Sequence, residues 1–243
     1  MKNLTDGFTA IVIGASGGIG GALAHRLQAM PGCKRLIATA RTPEKGQDLQ
    51  SLVRLDTADE TMIAAFAATL DTEVDLVINA TGLLHDPSRD IFPERSLRHL
   101  DMDQMQAVFA ANAFGPALLI KHLLPKLPRQ RPAVFASLSA RVGSISDNRL
   151  GGWYAYRAAK AAHNMLVKTA ALEAAHRYKQ AVVVGLHPGT VETGLSEPFK
   201  GNVPAEKLFT PDQSAGYLLQ VLSGLSASDS GKVFDWKGQE VPA

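Results

Sequence analysis

The run "GGWYAYRAAK" at residues 151–160 sets two tyrosines ahead of a lysine in a chain with four tyrosines in all. A phenol beside an ammonium is a pair able to move a proton: tyrosine normally titrates near pH 10, and a neighbouring cation favours its phenolate. On an α-helix, residues four apart lie about 40° apart around the axis, whereas residues six apart lie on different faces. Tyr156 and Lys160 therefore share a face, and Tyr154 and Lys160 do not. Tyr156 is the candidate proton donor or acceptor. The same spacing also describes a surface tyrosine over a solvated lysine, so partners elsewhere in the chain must carry the chemistry.

A second constellation lies near the start. The apolar run "FTAIVIGA" leads directly into "GASGGIGGALAHRL", with Gly14, Gly18 and Gly20 at the corner. Glycine there permits positive φ, lets backbone N–H groups approach a pyrophosphate, and lets a helix pack closely on a strand. The turn predicts a dinucleotide site. The next strand ends "ATAR". Arg41 stands where a cation clasps the extra ribose phosphate of NADP, and no carboxylate stands at that strand end to oppose it. Asp56, in "VRLDTAD", reads either as a contact to the adenine amino group or as the N-cap of the helix that follows.

These groups need a frame. Short apolar runs alternate with longer helical patterns at about 19–30, 58–70, 102–124, 154–178 and 211–223, and the alternation continues to "GKVFDWKG" near the end. Apolar runs joined by crossover helices predict a single-domain, doubly wound (Rossmann) α/β fold: one parallel sheet with helices on both faces. Residues 83–100 and 190–210 break the pattern, are rich in Pro and charge, and follow strand ends, where such sheets take their ligands. Both are expected to be substrate loops.

Length and composition agree. The chain has 243 residues, 46% apolar and 20% charged, with a formal charge of +2. No block of basic residues points to nucleic acid, and no continuous apolar run reaches the roughly 18 residues of a membrane span. A cytoplasmic protein with a small-molecule substrate is expected. The single cysteine, Cys33, excludes an internal disulfide and reads as a small buried hydrophobe.

In their order and spacing, the glycine turn at 14–20, "NATG" at 79–82, Asn112, Ser139, "YRAAK" at 156–160 and "HPGTVET" at 187–193 resemble the short-chain dehydrogenases/reductases. The resemblance spans the chain. The segment "SARVGSISDNRLGGWYAYRAAKAAHN" is most similar to the branch of C-factor signalling proteins and sniffer-type carbonyl reductases. It implies an NADP(H)-dependent oxidoreductase that interconverts a carbonyl and an alcohol, with a Ser139, Tyr156, Lys160 and Asn112 site. NADP(H) contacts are implied for Gly14, Ser16, Gly18, Ile19, Gly20, Arg41, Asp56, Asn79, Ala80, Gly82, Tyr156, Lys160, Pro188, Gly189, Val191 and Thr193. The same branch implies a second reading, a nucleotide-binding signalling or scaffold protein with incidental turnover.

Three serines compete for the carbonyl-polarising role. Ser139 matches the family's strand-end position, Ser137 lies deeper on the same face, and Ser144 lies in the loop beyond. Asn112 sits in a helical pattern that Gly115 and Pro116 interrupt. Pro116 has no N–H for the carbonyl of Asn112, so a kink is expected, with that carbonyl free to hold the relay water the family implies. Two departures from the family, Ile13 before the first glycine and Ala80-Thr81 within "NATG", remove side-chain braces near the cofactor. Leu83, Leu84, Trp153 and Phe199 are expected to wall an apolar pocket, residues 194–210 to form its lid, and the alanine-rich helices to offer a homodimer or homotetramer surface.

Overall fold

The structure, a computed structural model, describes residues 1–43, 52–196 and 208–243. Its strands are β1 (Phe8–Ile13), β2 (Cys33–Ala40), β3 (Val53–Arg54), β4 (Leu76–Asn79), β5 (Ala133–Leu138), β6 (Ala181–His187), β7 (Thr190–Val191), β8 (Leu208–Phe209) and β9 (Val233–Asp235). Its helices are α1 (Gly18–Gln28), α2 (Glu60–Ala68), α3 (Met102–Phe109), α4 (Gly115–Leu123), α5 (Tyr154–Arg177) and α6 (Pro211–Gly224). Seven strands form one parallel sheet in the order β3-β2-β1-β4-β5-β6-β9. The chain runs outward from β1 to β3, then crosses back to β4 beside β1 and builds the other half. The carboxyl ends of β1 and β4 thus flank the switch point, where a doubly wound sheet leaves a crevice.

Alternation along the central strands divides the core into two layers. Ala10 and Val12 of β1 pack with Leu23 and Leu27 of α1 and Leu218 and Leu222 of α6. Ile11 and Ile13 face the other way, onto Ile63 of α2, Leu119 and Leu123 of α4 and Val167 of α5. Each buried Val, Leu or Ile among them is worth about 1.5–3 kcal/mol. The Arg26–Asp212 pair between α1 and α6 closes at 2.6 Å, but both partners are exposed, which limits it to about 1 kcal/mol or less. The two apolar layers hold the sheet, and the ion pair decorates it.

Several local features sharpen or differ from the expectation. β3 is a two-residue edge strand, and β7 pairs with β8 in a separate parallel ribbon, both too short to show periodicity. The pattern at 102–124 is not one α-helix. A π-helical turn, Ala110–Phe114, separates α3 from α4, and the Gly115 N–H reaches back to the carbonyl of Ala110 immediately before Pro116. The stretch Met102–Lys126 is long and apolar enough to cross a bilayer by length and composition, yet half of it is buried within the protein. Cys33 opens β2 and is only half-buried.

Candidate active site

The glycine turn closes the crevice from the β1 side. Gly14 adopts φ +85°, and the Gly14 and Ala15 N–H groups donate to Thr39 O of β2. A Cβ on Gly20 would lie 2.1 Å from Gly14 O, and one on Gly18 would lie 2.7 Å from Thr193 Cγ2. Backbone bars a side chain at Gly20, and one at Gly18 would have to displace the Thr193 methyl. Helix α1 begins at Gly18 with Gly17 as its N-cap and no side-chain cap, which leaves its first N–H groups to an anion.

A cleft of about 730 Å³ opens beside this turn, lined by Gly14, Ser16, Arg41, Asp56, Ala80 and Gly82 among others. These expected cofactor residues are brought together. Arg89, from the irregular segment after β4, lines the same cleft and was not anticipated; that segment's richness in charge, of both signs, was the one sequence signal. Asp86 lies there too. The Ser88 hydroxyl holds its carboxyl below the usual range, with Arg89 and Arg41 adding to the effect. Asp56 does not cap α2. Asp59 does so by accepting the Met62 N–H at 3.1 Å, while Asp56 accepts the Ala58 N–H at 2.9 Å and faces the cleft.

Other expected contacts lie around or beneath the cleft. Ile19 packs on the core, and Val191 is buried in β7. Pro188 O accepts from Ser214 Oγ, and Gly189, at φ +78°, lies so close to Phe209 that a Cβ would sit 2.7 Å from its ring. Asn79 is fully buried and acts as a brace: its Nδ2 donates to Ser137 Oγ at 2.9 Å, and its Oδ1 accepts from the N–H and hydroxyl of Thr81. His163 of α5 joins Ser137 Oγ at 2.9 Å. The brace expected to be missing from "NATG" is therefore supplied by Thr81, Ser137 and His163. Burial, reinforced by the Lys160 ammonium, drops His163 to about 3.

Tyr156 and Lys160 lie on one buried face of α5. Lys160 Nζ donates to Leu138 O at 2.8 Å and stands 5.7 Å from the centre of the Tyr156 ring. Burial lowers Lys160 to about 7 and raises the Tyr156 phenol above its ordinary value. That rise runs against the lowering expected from the lysine, because burial penalises the charged phenolate. The phenol holds its proton at neutral pH.

Asn112, in the π-turn, is fully buried. Its Nδ2 donates to Leu83 O at 2.6 Å and Val108 O at 2.9 Å, and its Oδ1 accepts the Leu83 N–H. The side chain thus fastens the start of the segment after β4. Gly82 lies between Asn112 and Lys160, where a Cβ would be 3.3 Å from Asn112 Oδ1 and 3.9 Å from Lys160 Nζ.

Each of the three serines has a bonded hydroxyl. Ser137 belongs to the His163 brace, and Ser144 bonds Ala243 O and the Asp147 N–H. Ser139 donates to Asn164 Oδ1 at 2.6 Å, one helical turn beyond Lys160. Ala140, the next residue, is the one that packs into the apolar cluster around Tyr156, together with Leu83, Leu84, Val142, Trp153 and Leu195. Phe199 and most of the expected lid lie outside the described residues.

A family model described as short chain dehydrogenase matches residues 8–203. A protein named C-signal from Myxococcus xanthus is 37% identical over 179 residues, 73% of this chain and 98% of that protein. A solved NADPH-bound carbonyl reductase from chicken fatty liver superposes with a TM-score of 0.85 at 26% identity, covering 100% of this chain and 96% of that one. The carbonyl reductase Sniffer of D. melanogaster shares the fold, with a TM-score of 0.83 at 21% identity over 98% of this chain and 99% of its own. The match spans six of the seven strands of the sheet, the glycine turn and the helix that carries Tyr156 and Lys160, and the chain belongs to the short-chain dehydrogenase family of oxidoreductases.

Proposed function

We propose that the protein is an NADP(H)-dependent carbonyl reductase acting on small molecules whose carbonyl is flanked by apolar groups. The observation that carries this reading is the Tyr156–Lys160 pair, buried on one face of α5 beside Gly82 and Asn112. The crevice suits a phosphorylated dinucleotide on its own geometry. The uncapped start of α1 and the glycine turn suit a pyrophosphate, and Arg41 and Arg89 suit a ribose phosphate. The NADPH bound to the chicken carbonyl reductase supports the same choice.

When bound, the nicotinamide supplies hydride to the carbonyl carbon. Tyr156, protonated at neutral pH, gives its proton to the carbonyl oxygen. Ser139 polarises that oxygen once its hydroxyl turns from Asn164, Lys160 binds the nicotinamide ribose and tunes the phenol, and the main-chain carbonyl of Asn112 holds the relay water. Leu83, Val142 and Trp153 form the apolar side of the substrate site. The test is NADPH oxidation by the purified protein across a panel of ketones and aldehydes, with thermal shifts against NADPH and NADH. Turnover with a larger shift for NADPH supports the reading, and silence on every carbonyl and alcohol removes it.

A second reading rests on the 37% identity to C-signal: a nucleotide-binding signalling protein with incidental turnover. Nucleotide-dependent partner binding that survives Tyr156→Phe supports it. Self-association through α4 and α5 is a further proposal, motivated by the exposed Met165 and Leu172. A monomer in sedimentation at micromolar concentration removes it.

A further inference from the structure

We propose that Glu94 is a positioning residue for Tyr156, acting through the left-handed turn at residues 151–153; this rests on the reading of Tyr156 as proton donor. Helix α5 begins immediately after three consecutive residues with positive φ: Gly151 at 64°, Gly152 at 66° and Trp153 at 52°. The glycines take this conformation freely, whereas a tryptophan does so only where its surroundings impose it. An N-cap is ordinarily an extended residue with a short polar side chain. Trp153 is neither, and its side chain makes no capping bond.

The missing cap comes from 61 residues upstream. Both carboxylate oxygens of Glu94 face the Ala155 N–H, at 3.3 and 3.2 Å, and the Glu94 carbonyl accepts the Trp153 N–H at 2.6 Å. Glu94 is 4% exposed, and its buried oxygens are received by the N-terminus of α5. Arg157 grips the turn from its other side. Its Nε donates to Gly151 O at 3.2 Å and Gly152 O at 3.0 Å, and its Nη1 to Val142 O at 3.4 Å.

What this clamp fixes is the ring of Trp153, edge-on to Tyr156 at 6.3 Å and 73°. Tyr156 lies one residue beyond the N–H that Glu94 holds, so rotation of the first turn of α5 moves the phenol directly. Glu94 belongs to the segment whose start Asn112 fastens through Leu83. One segment is thereby tied both to the cleft and to the helix bearing the proton donor.

The experiment uses the full chain with two readouts. The chain has two tryptophans, so in a Trp236→Phe background the emission of Trp153 reports its packing against Tyr156. Glu94→Ala is expected to shift that emission to the red and to lower kcat for carbonyl reduction by about ten- to a hundredfold, with NADPH affinity unchanged and little change in KM. Glu94→Gln, which keeps the volume and one acceptor oxygen, is expected to recover part of both, and it stands in if the alanine variant does not fold. Unchanged Trp153 emission in Glu94→Ala overturns the proposal, and so does a rate loss that only tracks the unfolded fraction. If the wild-type protein reduces no carbonyl, that failure belongs to the functional reading, and the emission shift still decides whether Glu94 holds the turn.

Discussion

Lys160 Nζ donates to the carbonyl of Leu138 at 2.8 Å while standing 5.7 Å from the Tyr156 ring, which joins the end of β5 to the middle of the site. The bond fixes the ammonium at the carboxyl edge of the sheet. Burial then holds the amine near neutrality, at about 7, and keeps the phenol protonated. A phenol that keeps its proton suits the role proposed for Tyr156, donation to a carbonyl oxygen.

The same burial predicts a pH dependence of stability. Lys160 titrates at about 7 in the folded protein against an ordinary 10.5, so between those values the unfolded chain binds the extra proton and stability rises with pH. Melting temperature measured without nucleotide is expected to climb over this window, and Lys160→Met to flatten the climb. His163 acts in the acid range. Its fall from 6.5 to about 3 means that stability drops as pH falls below 6.5, a drop that His163→Leu is expected to reduce.

Arg41 and Arg89 line one cleft, from just beyond β2 and from the segment after β4. Replacing either with alanine is expected to weaken NADPH by about ten- to a hundredfold, the worth of a charge-assisted hydrogen bond, and to leave NADH nearly unchanged. Isothermal titration at low and high salt checks this. An equal loss for both nucleotides places the arginines elsewhere than on the ribose phosphate.

Ser139 donates its proton to Asn164 rather than toward Tyr156. If its hydroxyl turns to polarise the substrate, Ser139→Ala lowers kcat by about a hundred- to a thousandfold, the usual cost of one lost oxyanion donor. Stopped-flow single turnover isolates the step. A rate within a factor of a few of wild type assigns the serine to packing against α5.

Gly189 combines φ +78° with a ring 2.7 Å from its would-be Cβ. Gly189→Ala is expected to cost about 1–3 kcal/mol of stability and to weaken nucleotide binding, because Phe209 must yield or the turn must move. Chemical denaturation with and without NADPH measures both.

Much of this was legible in the sequence because the signals were local. The face shared by Tyr156 and Lys160 follows from helix geometry, the switch-point crevice from the alternation of runs, and the break at Asn112 from a proline four residues on. What was not legible depends on distant partners. Glu94 meets α5 across 61 residues, His163 meets Ser137 across 26, and Ser139 meets Asn164 across 25. Arg89 lies in a segment with no periodicity. The reading of Asp56 as an N-cap failed because Asp59, three residues later, sits where the first free N–H groups of α2 point.

In the proposed reaction Tyr156 delivers the proton. Tyr156→Phe removes one hydroxyl from a buried, apolar setting and should leave the fold and the NADPH thermal shift nearly intact. The decisive measurement is NADPH-linked carbonyl reduction by this variant, on whichever substrate the wild-type protein turns over best. A loss of about a thousandfold or more in kcat with retained NADPH binding is expected. Wild-type turnover by Tyr156→Phe would contradict it.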